Sequence, residues 1–243
     1  MRLLLLLCLI FTCHCGANEQ IFSSPVNQVN LLELYTSQGC SSCPAAEHYL
    51  SLYKQNDKLW NSIIPVAFHV DYWDELGWHD RYSNKDFSQR QRDYARKGNV
   101  QGVYTPGFVL NGQEWRGYFG TKKLPLANNR PGKLELVAGD KDVTLRFYPE
   151  SDRQTRYQGH IAVIGFNLQE RILAGENQDK ILIHDFVVLG YNSFTLLNQN
   201  DIQQQSANWP TLSSPATQKG IVAWVTQQTS PSPIQAVGGK LAQ

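Results

Sequence analysis

Between Val29 and Ser37 the chain reads VNLLELYTS, a nearly unbroken apolar run of the kind that forms a strand buried on both faces. Gly39 ends it. Beyond Pro44, the residues Ala46, Tyr49, Leu50 and Tyr53 repeat at i, i+3, i+4 and i+7, which predicts a helix with one apolar stripe. Ile63–Trp73 predicts a second buried strand. The helix fills the gap between the two strands, so Val29–Trp73 reads as a βαβ unit with parallel strands. A second helix follows in SNKDFSQRQRDYARKGN, with Ser83 or Asn84 as its cap. Phe108–Leu110 is then a strand, and Asn111-Gly112 a type I′ turn that returns the chain antiparallel.

From about Lys133 the pattern changes. KLELVAG, DVTLRFYP, YQGHIAVIGFNL, KILIHDFVVLGYNSF and GIVAWVTQ alternate or run apolar, with turn residues between them. They predict a sandwich of about seven strands. NQNDIQQQSANWPTLSSPAT reads as a polar connection.

The first residues follow neither pattern. Arg2, the apolar run Leu3–Phe11 and the small residues ending at Ala17 predict a secretory leader cut near Ala17, with Cys15 at −3. The domain plan is thus a leader at 1–17, an α/β domain at 18–130 and a β-rich domain at 131–243. Export places the chain in the periplasm or outside the cell, as a monomer. Removing Arg2 lowers Lys plus Arg from 22 to 21, equal to the 21 Asp plus Glu. A chain with no net charge and no basic patch gives no reason to expect nucleic acid or anionic lipid as partner.

The leader also removes Cys8, Cys13 and Cys15, which leaves Cys40 and Cys43 in TSQGCSSCP. Two cysteines are half a structural zinc site, and no second C-x-x-C exists. In an oxidising compartment they form a disulfide. The spacing puts Cys40 at the cap of the first helix and Cys43 one turn in. The helix N-terminus stabilises a thiolate, which is the nucleophile. Cys40 is therefore expected at the surface as the attacking thiol, with Cys43 shielded and resolving. His69 and Asp71 alternate at the end of the second strand; they are a proton relay, a metal site with the cysteines, or a hydrogen-bonded strand end. His184-Asp185 reads as structural.

The order of elements resembles thioredoxin. LELYTSQGCSSCPAAE, AFHVDYWDELGWHDRYS, RQRDYA and YTPGFVLNG resemble more closely the domain of unknown function 1223 family of exported thioredoxin-like proteins, and LAGENQDKILIHDFVVLG matches that family's Gly-Glu-Asn stretch. The resemblance implies an α/β thioredoxin-like domain followed by an all-β sandwich-like domain. It implies a cis Thr105–Pro106 bond that presents backbone to a substrate peptide beside the cysteines. It also implies that Glu33 moves a proton at the resolving cysteine, although Glu33 stands seven residues before Cys40 where thioredoxin has six. An exposed or a structurally hydrogen-bonded Glu33 is the alternative.

Three functions are consistent with these residues. The first is a thiol–disulfide oxidoreductase acting on protein clients or a redox partner, with Cys40, Cys43, Glu33, Thr105 and Pro106 as its site and no cofactor or metal. The second is a binding module with a structural disulfide. The third is a Cu(I) handler using the two thiolates with His69 or His48.

Overall fold

The computed structural model describes residues 19–152 and 154–242; the expected leader at 1–17, with Cys8, Cys13 and Cys15, lies outside them. In order, the elements are β1 (Gln20–Ser23), β2 (Asn30–Thr36), α1 (Cys43–Ser51), β3 (Ile63–His69), α2 (Lys85–Arg96), β4 (Gly107–Leu110), β5 (Gln113–Glu114), β6 (Gly132–Ala138), β7 (Asp142–Pro149), β8 (Tyr157–Phe166), β9 (Leu168–Arg171), β10 (Ile181–His184), β11 (Val187–Thr195), β12 (Leu197–Gln199), β13 (Ile202–Asn208), β14 (Gln218–Gln227) and β15 (Pro233–Lys240).

Every residue of β2 and β3 is buried. The two pair in parallel from Asn30↔Ile63 to Thr36↔His69, and α1 supplies the crossover that parallel pairing needs. The helix begins at Cys43, with Ser42 as N-cap and proline in the first turn. Cys43, not Cys40, is therefore the first helical residue. Helix α2 is capped by Asn84, whose side chain accepts from the Asp86 amide at 2.9 Å. Asn111 and Gly112 both have positive φ, as a type I′ turn requires.

An α/β thioredoxin-like domain followed by a separate all-β sandwich is not what the chain forms. Among the described residues 43% are strand and 16% helix, so β-sheet dominates. The C-terminal strands do not all stay in sheets of their own. Eight strands from both halves form one mixed sheet in the order β15-β14-β8-β11-β3-β2-β4-β5. The reason lies at β3. Without β11 its buried residues would form a bare apolar edge with unpaired amides. β11 closes that edge in parallel, with Val187 opposite Ala67 and the Ala67 amide donating to Phe186 O at 2.8 Å.

A second, antiparallel sheet has the order β1-β6-β7-β13-β12. Its last two strands come from the stretch read as a polar connection. Most of their side chains are exposed or half-buried glutamines and other polar residues, so they carry little of the apolar signal that marks a strand. β9 and β10 form a two-stranded ribbon.

Strand alternation assigns the faces of the large sheet. Tyr35 stacks on Phe68 at 5.6 Å, and Phe68 meets Phe87 of α2 at 5.1 Å. That face carries α2. The opposite face, with Thr36 and His69, carries α1. Following the register from Ala67 through Val187 to Gly165 puts Ile161 on the α1 face as well. There Ile161, Ile221 and Val225 pack against Leu134, Leu136 and Leu145 of the five-stranded sheet. Among the described residues no helix is long and apolar enough to cross a membrane.

Candidate functional site

The loop after β2 turns sharply to reach α1. The Cys40 amide donates to Ser37 O and the Cys43 amide to Cys40 O, both at 3.2 Å. These turns bring the cysteine Cα atoms to 5.4 Å, and the two sulfurs form a disulfide. Gly39 lies under Trp73, where a Cβ would meet the Trp73 side chain at 3.4 Å. Ser41 and Ser42 between the cysteines are exposed. The cysteines are not: Cys40 is 1% accessible and Cys43 0%. The expectation of a surface Cys40 is corrected on this point.

The segment between β9 and β10 is tied to the backbone of the CxxC loop. Asn177, fully buried, donates through Nδ2 to Gln38 O at 2.8 Å and to Cys40 O at 2.9 Å. Beside it the Ser41 amide donates to Glu176 Oε2 at 2.9 Å. The Gly-Glu-Asn stretch is thus a clasp on the CxxC loop. Two buried hydrogen bonds contribute about 2 kcal/mol together. Asn177→Ala is therefore expected to speed reduction of the disulfide by a small dithiol roughly 30-fold, if the clasp must open first. Stopped-flow reduction measures this; a rate within about twofold of the wild type would show that the clasp does not control access.

Glu33 is placed elsewhere. It alternates with Thr36 on β2 and points to the α2 face. Its Oε2 accepts from Arg90 Nε at 2.7 Å and from Tyr35 OH at 2.9 Å. Its Oε1 accepts from Arg90 Nη2 at 2.9 Å and from Tyr94 OH at 2.7 Å. The carboxylate expected to serve the cysteines is held by four donors on the other side of the sheet from α1. The structural reading of Glu33 is the one its geometry supports. Thr105–Pro106 is cis. Thr105 Oγ1 accepts from Trp73 Nε1 at 2.8 Å, so the tryptophan over Gly39 links the Thr105 loop to the CxxC turn. His48 is exposed on α1, and His79 is an exposed partner of Asp74 at 3.0 Å. Asp71 is drawn to α2, accepting from Ser88.

On the α1 face stands a buried cluster. Glu47 follows Cys43 by one helical turn. Thr36 Oγ1 donates to its Oε1 at 2.5 Å, and His184 Nδ1 pairs with its Oε2. His69 Nδ1 lies 2.6 Å from Asp80 Oδ2. The His69 and His184 rings meet edge to face at 5.3 Å. Burial pushes the Glu47 carboxyl up, but the charge and hydrogen bond of His184, with His69 and Thr36, hold it below its ordinary value. Burial pushes His69 down, and Asp80 and Glu47 outweigh this and raise it. Asp80, also raised by burial, is held low by His69 and by the amides of Gln38 and Tyr82.

Residues 31–226 match the family described as protein of unknown function (DUF1223). The chain belongs to that family. Two solved structures share its fold. One is protein AGR_C_4864 from Agrobacterium tumefaciens, 21% identical, covering 88% of this chain and 94% of that one, with a TM-score of 0.55. The other is HBP35 of Porphyromonas gingivalis, 12% identical, covering 88% and 76%, with a TM-score of 0.61. A comparison with curated proteins gave no match.

In this DUF1223 chain the sequence reading brought Cys40, Cys43, His69 and Thr105-Pro106 forward, set His184 aside as structural, and missed Glu47, Asp80 and the Asn177 clasp. Glu47 sits beside the apolar stripe of α1, where a charge next to Ala46 and Leu50 was a usable signal. Nothing local marks His184 as its partner, 137 positions away.

Proposed function

We propose that the chain performs thiol–disulfide exchange with protein clients or a redox partner at Cys40–Cys43, in an oxidising compartment reached through its leader. The observation that carries this reading is the disulfide placed across the N-terminus of α1, directly after a central strand. A client thiolate attacks one sulfur of the pair and forms a mixed disulfide, and the other cysteine leaves as a thiolate. A second client thiol attacks the mixed disulfide and leaves the client oxidised and the pair reduced by two electrons and two protons. The positive end of α1 favours the thiolate released there.

Burial of both sulfurs favours a second reading, a structural staple in a binding module. Loop size speaks against it. A disulfide closing about four residues removes little chain entropy, about 2 kcal/mol against about 3 for a loop of roughly 15 residues. The deciding measurement is the reduction potential of the pair, taken with an insulin-reduction assay. Exchange predicts a value of roughly −120 to −270 mV and turnover. A value below roughly −300 mV with no turnover would leave the staple.

A further inference from the structure

We propose that Glu47, His69 and His184 form a binding site for one divalent first-row transition ion of the zinc class, oriented by Asp80 and Thr36. The site does not depend on the redox reading. One ligand atom from each of the three residues lies within 4.8 Å of the others, and all three residues are buried. A second observation points to a ligand. Nε2 of His69 is buried without a hydrogen-bond partner, although His69 itself is 0% exposed. Folded proteins rarely strand such an atom, and each instance needs an explanation.

The surroundings are those of a ligand shell. A histidine that binds a metal through one nitrogen gives its other N–H to a carboxylate or carbonyl, which fixes the ring and its tautomer. His69 does this through Nδ1 and Asp80 Oδ2 at 2.6 Å. Asp80 is fixed in turn by the amides of Gln38 at 2.8 Å and Tyr82 at 2.9 Å. Gln38 Oε1 accepts from Trp78 Nε1 at 2.9 Å, which turns Gln38 Nε2 toward His184 Nε2 at 3.2 Å. That leaves His184 Nδ1 facing Glu47. Thr36 holds the other oxygen of Glu47. His69 and Glu47 are thus held from outside the cluster as ligands are, and the Gln38 contact holds His184 in its ion-free tautomer.

Charge gives the same answer. Glu47 and Asp80 are buried carboxylates. In the ion-bound form the imidazoles are neutral, so the two carboxylates sum to two negative charges, which one divalent cation balances. Two imidazole nitrogens with one carboxylate suit zinc and its first-row neighbours, while magnesium and calcium prefer oxygen shells. Three protein ligands leave a fourth position for water or a substrate atom. Bonds of about 2.0–2.2 Å place tetrahedral ligand atoms about 3.4 Å apart, so His184 Nδ1 and Glu47 Oε2, now hydrogen-bonded, move apart, and the other ligand atoms close by no more than about 1.5 Å. Gln38 Nε2 donates to His184 Nε2, so the neutral ring carries its proton on Nδ1; as the ion enters, that proton leaves Nδ1, Nε2 takes one up, and the Gln38 amide gives up its bond to the ring.

The test uses the full chain with its disulfide intact, stripped with a chelator, and Zn2+ alone as probe. Calorimetry is expected to give one ion per chain. Co2+ in its place should show the visible absorption of a four-coordinate nitrogen–oxygen site, without a thiolate band. Asp80→Asn should weaken binding by about 10- to 100-fold, and His69→Gln should abolish it. If His69→Gln does not fold, Asp80→Asn and the Co2+ spectrum decide. Absence of stoichiometric binding to the wild type overturns the proposal. So does Zn2+ affinity unchanged in Asp80→Asn, or a thiolate band in the Co2+ spectrum.

Discussion

Arg90→Ala is expected to cost about 3–5 kcal/mol of folding stability, because it leaves the Glu33 carboxylate buried without its counter-charge. Glu33 is 0% exposed and Arg90 9%. The guanidinium grips both carboxylate oxygens, from Nε and from Nη2. It also lies over the rings of Trp224 and Tyr94, each at 5.2 Å, so the substitution removes packing as well as charge. Two tyrosyl hydroxyls remain, from Tyr35 and Tyr94. Neutral donors do not replace a cation in a dry site. Burial first, and the charge of Glu33 among the causes after it, hold both phenols well above their ordinary range, so neither ionises. Urea unfolding of the wild type, Glu33→Gln, Arg90→Ala and the double variant measures the coupling. Arg90→Ala should cost less when combined with Glu33→Gln, where no charge is stranded. A loss under about 1 kcal/mol from Arg90→Ala alone would refute the account. Glu33→Gln alone should leave the rate of disulfide exchange unchanged, since Glu33 faces away from α1; a slowed rate would return it to the chemistry.

Glu33 also shows how far the sequence could be read. Its presence on the strand before the CxxC was plain, and so was the offset of seven. On a strand an offset of one residue reverses the face, and the parity of Glu33 against Thr36 already placed them on opposite sides. The local units were legible for the same reason: β2, α1, β3 and α2 announce themselves by period, cap and turn. The destinations of β8, β11 and β14 were not. Their alternation says that each has a face to bury, but not against which sheet, and the link Val187↔Ala67 joins positions 120 residues apart. β13 was missed because a strand of Gln203, Gln204 and Gln205 looks polar and is held in place by pairing with β7. The cluster of Glu47, His69, Asp80 and His184 has no spacing that a short motif can encode. It exists only after β10 has been brought onto α1.

Cys40→Ser and Cys43→Ser are each expected to abolish two-electron exchange while lowering stability by only about 2 kcal/mol. The small stability loss follows from the short loop the disulfide closes, and from Cys40 and Cys43 keeping their backbone turns, which are made by Ser37 O and Cys40 O. The loss of exchange follows from the chemistry, because a single thiol can form a mixed disulfide but cannot release it. The two variants should differ in what they trap. Cys43 is the first residue of α1 and is fully shielded, whereas Cys40 stands on the preceding turn beside the exposed Ser41 and Ser42. Cys40 Sγ lies 3.5 Å from Ser42 Oγ, so a client reaching the loop through those serines is expected to meet the Cys40 sulfur first once the Asn177 clasp opens. Cys43→Ser should therefore accumulate mixed disulfides with clients, Cys40→Ser far fewer, and Asn177→Ala should increase the yield from Cys43→Ser. Non-reducing electrophoresis followed by mass spectrometry of the trapped species, alongside urea unfolding of each variant, tests all of this. Stability losses well above about 2 kcal/mol, with no trapped client in either variant, would make Cys40–Cys43 a staple and not a reagent.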